Sequence, residues 1–380
     1  MRVRPATVDG RDRPPLPIAR VEAIPVALPL KKPVKMAGET ITHANNLVVR
    51  LEAADGTIGW GEAASAPSMT GDTQESLLAA MRRLAPGLIG QDAWKRPALL
   101  QRLQAALAGN SGAHAAIDMA LLDLAGRSAG VPLSDLIGGA ARDAVAPMWL
   151  IGNATVDQDV AEARERQREG FHFFKLKVAT KPLEADVAAT RAVREAIGAG
   201  TPLCADANCG FALEPAREYA RRAADHGLLF LEQPLPADDI AGLEALARTS
   251  PVPIGADESI HSLADIETQA RAGAGGLSLK LIKLGGFSAA LEAAALARRL
   301  GLELNIAGKI AESSIAAAAA THLACAVPSA AWGVSLTHFY LAEDLVKRPP
   351  VLREGRVALP AGPGLGIDVD ETTLARLRVG

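Results

Sequence analysis

Eight short apolar runs recur along most of the second part of the chain. They are Pro147–Ile151, Phe173–Val178, Leu203–Asp206, Leu228–Glu232, Pro253–Asp257, Leu277–Leu281, Leu302–Ile306 and Ala331–Leu336. Between them lie Ala-, Arg- and Glu-rich stretches with helical spacing. Strand alternating with helix implies a parallel sheet with helices packed on it, and eight such units suggest a closed (β/α)8-type barrel. An open, doubly wound sheet is the competing arrangement. No Gly-x-Gly-x-x-Gly follows any of the runs, so a nucleotide-binding fold loses its main support.

The preceding region has an α+β texture. Val21–Leu28 and Asn46–Glu52 are rich in β-branched and apolar residues. Asp55-Gly56 separates Leu51–Ala54 from Thr57–Glu62, a good hairpin signal. Thr73–Leu84, Pro97–Ala108 and His114–Ala129 carry apolar residues at three- and four-residue spacing, as amphipathic helices do. The tail beyond Pro349 is rich in Pro and Gly and is expected to return onto this first domain. Residues 1–17 hold several Arg and Pro without an apolar core, so they read as a flexible leader rather than a signal peptide. The expected organisation is therefore a leader at 1–17, a capping domain at 18–143, a barrel at 144–345 and a returning segment at 346–380.

Composition narrows the function classes. A chain of 380 residues can bury a large core, and its formal charge of −3 gives no reason to expect a nucleic-acid or anionic-membrane partner. No apolar stretch approaches the roughly 20 residues needed to span a bilayer. Three cysteines, Cys204, Cys209 and Cys325, are too few and too poorly spaced for a disulfide framework or a zinc site. They read as buried free thiols of a cytoplasmic protein.

The chemistry lies where the runs end. The second ends in Lys175-Leu176-Lys177, the third in Asp206-Ala207-Asn208, the fourth in Glu232-Gln233-Pro234 and the fifth in Asp257-Glu258-Ser259. The sixth carries Lys280 and Lys283 ahead of Gly285-Gly286. From Lys177 through Asp206, Glu232 and Asp257 to Lys280 the steps are 29, 26, 25 and 23 residues, each about one βα unit. Any one of these motifs alone is an ordinary strand end, turn or cap. The ordered series places five ionisable groups at the C-terminal mouth of one barrel, where barrel enzymes keep their active sites.

Three carboxylates converging on one point repel unless a cation lies between them. Oxygen donors without His or Cys point to Mg2+, with Mn2+ as the other hard candidate. Such an ion can hold a substrate carboxylate and stabilise the enediolate formed when the α-proton leaves. The lysines fall on strands either side of the carboxylate strands, so they would face opposite sides of that substrate. Lys175 lies on the same face as Lys177, and a neighbouring ammonium disfavours a second charge. Lys175 is therefore expected to keep Lys177 available as a neutral base.

These residues resemble the enolase superfamily, and within it the muconate lactonizing enzyme subgroup. The resemblance runs from about Ile18 to the end. It includes Gly59-Trp60-Gly61-Glu62, Ala115–Gly139, the strand-end series and Gly362-Pro363-Gly364-Leu365-Gly366. It implies an N-terminal α+β capping domain, a (β/α)7β TIM-like barrel, one Mg2+ and a homo-oligomer. By match, Asp206, Glu232 and Asp257 are the metal ligands, and Lys177 and Lys280 the general acid/base pair. Asn208 and Glu258 are candidate supports beside the ligands. Lys280 is preferred to Lys283 because the subgroup's lysine precedes Gly-Gly by five residues. The mandelate racemase subgroup would need a His at the end of strand seven, where this chain reads Asn305-Ile306-Ala307-Gly308-Lys309. Met36–Thr42 and Ala66–Asp72 match the loops that close over substrate.

Strand eight departs from the pattern. Muconate lactonizing enzymes carry a Glu after a Trp-Gly pair, whereas here Trp332-Gly333-Val334 leads to Ser335. The Asp-containing motif with which dipeptide epimerases hold a substrate ammonium is absent too. Lys309 is a candidate for a second substrate carboxylate, and Glu312, Ser313, Ser314 and Ser335 are further candidate contacts. The expected partner is a small carboxylate. Cycloisomerisation is the leading reaction; the alternatives are racemisation or epimerisation of amino-acid derivatives or dipeptides, dehydration, and a non-catalytic ligand-binding relative.

Overall fold

The computed structural model describes residues 13–36, 39–152 and 155–380. Residues 1–12 of the segment expected to be a leader, and residues 37–38 of the Met36–Thr42 segment, lie outside the described residues.

The first domain is a three-stranded antiparallel sheet with helices on one face. Its strands are β1 (Ile18–Met36), β2 (Glu39–Ala53) and β3 (Ile58–Ala64), paired in sequence order. The Asp-Gly signal marks a real hairpin: Glu52 pairs with Ile58, and Gly56 takes the positive φ of 85° that the turn needs. Three helices follow, α1 (Gln74–Leu84), α2 (Arg96–Ala106) and α3 (Ser111–Ala129). Thr73 caps α1 through a reciprocal bond with Ser76. Helix α3 is buried along most of its length and lies directly on β3. A Cβ at Gly59 or Gly61 would come within 2.3 Å or 1.9 Å of the carbonyl oxygens of Ala120 and Ala116. The two glycines thus let helix and strand backbones touch.

A two-residue strand, β4 (Ala144–Val145), leads into the barrel. The barrel strands are β5 (Trp149–Ile151), β6 (Phe174–Lys177), β7 (Leu203–Asp206), β8 (Leu231–Glu232), β9 (Ile254–Ala256), β10 (Gly276–Leu279), β11 (Glu303–Ala307) and β12 (Val334–Ser335). Each pairs in parallel with its sequence neighbour. A bridge from Pro147 to Val334 brings the last strand back to the first. A helix separates each strand from the next, and none is interposed after β12 before the chain leaves the sheet, which makes a (β/α)7β barrel. The floor is plugged by Trp332 stacked on Phe230, with ring centroids 4.1 Å apart. At Gly276 a Cβ would approach Trp332 to 2.6 Å, so the strand must be bare there.

The tail returns along the first domain. Strand β13 (Val357–Ala358) pairs with β4, Leu365 N donates to Asp123 Oδ1, and Val379 N donates to Pro25 O. Of the three cysteines, Cys204 and Cys325 are buried free thiols, but Cys209 is only half-buried. It sits in the turn after β7 with positive φ, outside the packed strand. No helix among the described residues is long and apolar enough to cross a membrane.

Candidate active site

Strand register brings the ionisable groups together. Lys177 is paired across from Asp206, and Asp206 from Glu232, so one level of the barrel carries all three. Asp257 lies one residue beyond β9, and Lys280 one residue beyond β10 in extended conformation. Residues two apart on a strand share a face, so Lys175 and Lys177 both turn into the same cavity. That cavity is also lined by Asp206, Asn208, Asp257 and Lys280.

Each carboxylate is held by an ammonium. Lys177 Nζ donates to Asp206 Oδ2 at 2.7 Å and also to Asn208 Oδ1. Lys175 Nζ donates to Glu232 Oε2, and Lys280 Nζ to Asp257 Oδ2. Asn208 Nδ2 in turn donates to Glu258 Oε1 at 2.8 Å. Lys177, Asn208 and Glu258 therefore form one chain of contacts.

Two participants, Ser278 and Gln233, were not expected from the sequence, and Lys283, weighed there against Lys280, has a role of its own. Ser278 Oγ donates to Glu232 Oε1 at 2.6 Å. Gln233 Oε1 accepts from Asp257 N at 2.9 Å and from Ser259 Oγ at 2.8 Å, and so fixes the end of β9. Lys283 is fully buried and donates to Asp257 Oδ1 at 2.6 Å and to Ser278 O at 3.0 Å. The expected strand through Leu281 stops at Leu279, and a helical turn (Leu281–Leu284) follows. That turn lets two lysines three residues apart meet one aspartate.

Burial and charge compete at every group. Burial works against the Lys175 ammonium, but Glu232 and Asp206 hold its pKa above the ordinary lysine range. Lys280 behaves likewise: burial is outweighed by Asp257, Glu258 and Glu232. Burial raises Asp257, yet Lys280 and Lys283 pull it well below the usual carboxylate range. Asp206 is also lowered, against burial, by Lys177 and Lys175. Burial prevails at Glu232, which is raised despite Lys175, with Asp206 and Asp257 adding to the rise. Burial, then Asp257 and Asp206, push Glu258 up to about 7.

The ends of β7, β8 and β9 place Asp206, Glu232 and Asp257 close enough that Asp257 opposes the charge on both Asp206 and Glu232. Their hard oxygens suit a divalent cation. In this arrangement each is engaged by lysine, and no group of three His, Cys, Asp or Glu among the described residues is drawn into a metal-holding cluster.

The opposite wall has another character. Lys309 and Ser335 line the cavity together with Ile310 and Leu336, and among the described residues no carboxylate lines this side. Thr337 Oγ1 donates to Lys309 O at 2.7 Å and accepts from Glu312 N at 3.1 Å, pinning the loop after β11 to the end of β12. Glu312 and Ser314 are not among the lining residues. The Glu312 carboxylate lies under Gly308, where burial and the nearby Glu62 push it up to about 8. Ser314 is the first residue of its helix (Ser314–Ala326), which Ser313 caps, and gives its hydroxyl to Asp344 Oδ2 at 2.7 Å. Ser313 Oγ donates to Glu62 Oε2 at 2.6 Å, and Ala316 N donates to the same oxygen at 3.1 Å. Glu62 of the capping domain thus caps a barrel helix, which gives the Gly59–Glu62 motif a second task.

Residues 158–373 match the enolase C-terminal domain-like family, and residues 18–138 match the mandelate racemase / muconate lactonizing enzyme N-terminal domain. The chain belongs to the enolase superfamily, in its muconate lactonizing enzyme subgroup. It is an enzyme of that superfamily. It is 33% identical to muconate cycloisomerase 1 of Pseudomonas putida over 94% of this chain and 98% of that one. It is 32% identical to the L-Ala-D/L-Glu epimerase of Bacillus subtilis (strain 168) over 92% of this chain and 96% of that one. The crystal structure of muconate lactonizing enzyme from Pseudomonas fluorescens, complexed with muconolactone, superposes with a TM-score of 0.93 at 32% identity, covering 96% of this chain and 100% of that chain. An enolase-superfamily barrel with its capping domain is what the family resemblance implied.

Proposed function

We propose that this enzyme removes or delivers the α-proton of a small carboxylate, with Lys177 and Lys280 as its acid/base pair and a divalent metal, Mg2+ or Mn2+, held by Asp206, Glu232 and Asp257. The observation that carries the reading is that the two lysines line one cavity from different strands, each anchored on a different buried carboxylate. A bound cation would supply Lewis-acid stabilisation of the charge developing on the substrate carboxylate.

The chain's own residues divide the proton work. Lys280, held charged by Asp257, Glu258 and Glu232, is suited to donate a proton from Nζ. Lys177 serves as the base at Nζ on the other face. Lys175, on the same face of β6, is kept charged by Glu232 and Asp206, which outweigh its burial. Asn208 and Glu258 orient the Lys177 ammonium.

The overall reaction is most like that of a muconate cycloisomerase. A substrate carboxylate oxygen adds across a carbon–carbon double bond, and a lysine gives the proton to the α-carbon. Racemisation or epimerisation of an amino-acid derivative is the second reading. In it one lysine takes the α-proton and the other returns one on the opposite face. Ser335, in the Glu place of muconate lactonizing enzymes, favours this alternative. Dehydration and ligand binding without catalysis are the lesser possibilities. The resemblance also supports a cytoplasmic location and homo-oligomeric assembly.

The test is a D2O exchange panel of muconates, lactones, N-acylamino acids and dipeptides with the Mg2+-supplemented enzyme, followed by NMR and mass spectrometry. Deuterium entering the α-position of one compound class supports the reading, and the product then separates ring closure from inversion. Tight binding of these carboxylates with no α-exchange in any of them would contradict it.

A further inference from the structure

The capping loop between β3 and α1 reaches the barrel mouth at one residue. Met69 is buried there, with Sδ 3.6 Å from Lys280 Nζ. Its backbone carbonyl lies 2.8 Å from Nε2 of His261, which follows β9. A carbonyl oxygen can only accept, so Nε2 carries the proton and the imidazole donates. We propose that His261 is a positioning residue: it latches the capping loop to the barrel and keeps Met69 packed against Lys280. The proposal rests on the reading of Lys280 as an acid/base group.

The histidine is itself held in place. His261 N donates to Asp265 Oδ2 at 2.9 Å, and Ser262 caps the helix Leu263–Arg271 through Asp265 N. Four residues earlier, Asp257 is fixed by Gln233, which also holds Ser259. One short segment therefore carries both a carboxylate of the site and the latch. Apart from the Lys280 Nζ donation to Met69 Sδ, the loop's remaining hydrogen bonds among the described residues stay within the capping domain. Ala66 N donates to Asp72 O, Thr70 N to Ala66 O, and Gly112 N to Asp72 Oδ2. The His261 bond is thus the tie that holds the loop's backbone to the barrel, and the Met69 thioether, which accepts from Lys280, is the cover it positions.

The latch biases an open–closed equilibrium. When only the closed form binds productively, apparent affinity falls in proportion to the closed fraction. Removing the donor therefore raises KM while leaving kcat, measured on the closed complex, nearly unchanged. A residue that merely stabilised the fold would not split the two parameters in this way.

The experiment compares wild type, His261→Ala and His261→Gln, the last keeping an N–H donor. Hydrogen–deuterium exchange over residues 65–73 and peroxide oxidation of Met69, both read by mass spectrometry without substrate, report the loop directly. Deuterium uptake and Met69 oxidation are expected to rise at least about threefold in His261→Ala and to return towards wild type in His261→Gln. With a substrate found by the exchange panel, KM is expected to rise about three- to tenfold in His261→Ala, with kcat within about twofold, the loss set by one hydrogen bond. Unchanged uptake and oxidation in His261→Ala would overturn the latch, whatever the activity. A wild-type enzyme without α-proton exchange would overturn the acid/base reading instead and leave the loop measurement decisive for the latch.

Discussion

The two sides of the barrel mouth are built on different rules. From β6 to β10 charge is matched to charge: Lys175 with Glu232, Lys177 with Asp206, Lys280 and Lys283 with Asp257, all buried. From β11 to β12 the wall is Lys309, Ser335 and apolar side chains, with Glu312 withdrawn beneath Gly308. Buried ion pairs tolerate little change, because removing one partner strands the other in a medium that cannot solvate it. A mixed polar and apolar wall can change residue by residue at small cost. The first side is suited to fix a shared chemical step, and the second to choose its substrate.

The largest effect expected on the charged side comes from metal removal. Chelation by EDTA should lower α-proton exchange by about 10³-fold or more, since a Lewis acid contributes several kcal/mol to such a step. Mg2+ should restore it. Exchange that persists in EDTA would break the contrast, because the carboxylates would then serve the lysines alone.

Next comes stability. Asp257→Ala leaves Lys280 and Lys283 without their shared partner and should cost about 3–5 kcal/mol in urea unfolding of the metal-free protein. Ser335→Ala on the other wall should stay within about 0.5 kcal/mol. Equal losses at the two positions would erase the distinction.

A pH effect of a few kcal/mol should mark the withdrawn carboxyl. Glu312 is raised to about 8 by burial and by Glu62. A raised carboxyl contributes stability that is fully present below its unfolded value near 4.5 and is lost as pH rises through about 8. Glu312→Gln should therefore flatten the decline of stability between these limits, as read by thermal unfolding across pH. An unaltered slope would mean that the carboxylate is solvated after all.

The smallest effect belongs to the specificity wall. Ser335→Glu should alter the ratio of kcat/KM between two substrate classes by about tenfold, close to 1.4 kcal/mol. The rate of α-proton exchange at saturation should change less. A collapse of exchange would show that Ser335 belongs to the chemical step.

Much of this was legible in the sequence because a strand end is a local event. Lys175, Lys177, Asp206, Glu232 and Asp257 lie at or just past the ends of short apolar runs, and βα spacing alone stacks those ends at one mouth. Other contacts depend on tertiary register. Ser278 meets Glu232 across an intervening strand, and Gln233 reaches the backbone of the next strand. Lys283 needed the helical turn after β10, which the apolar run through Leu281 concealed. The runs also overstate strand length. Leu228 and Phe230 are buried before β8 begins, with Leu229 exposed between them, because burial on the barrel floor does not require a ladder partner. Ser314 illustrates the reverse error of position: it neighbours the mouth in sequence, yet Asp344 takes its hydroxyl.

The most direct test of the charged side is face-resolved α-proton exchange in Lys177→Met and Lys280→Met. With each enantiomer of a responsive substrate in D2O, each variant should lose exchange on its own face by about 10²–10⁴-fold, the usual contribution of a positioned acid or base. The two losses should fall on opposite faces. Wild-type exchange on both faces in either variant would contradict the assignment of these lysines as the acid/base pair.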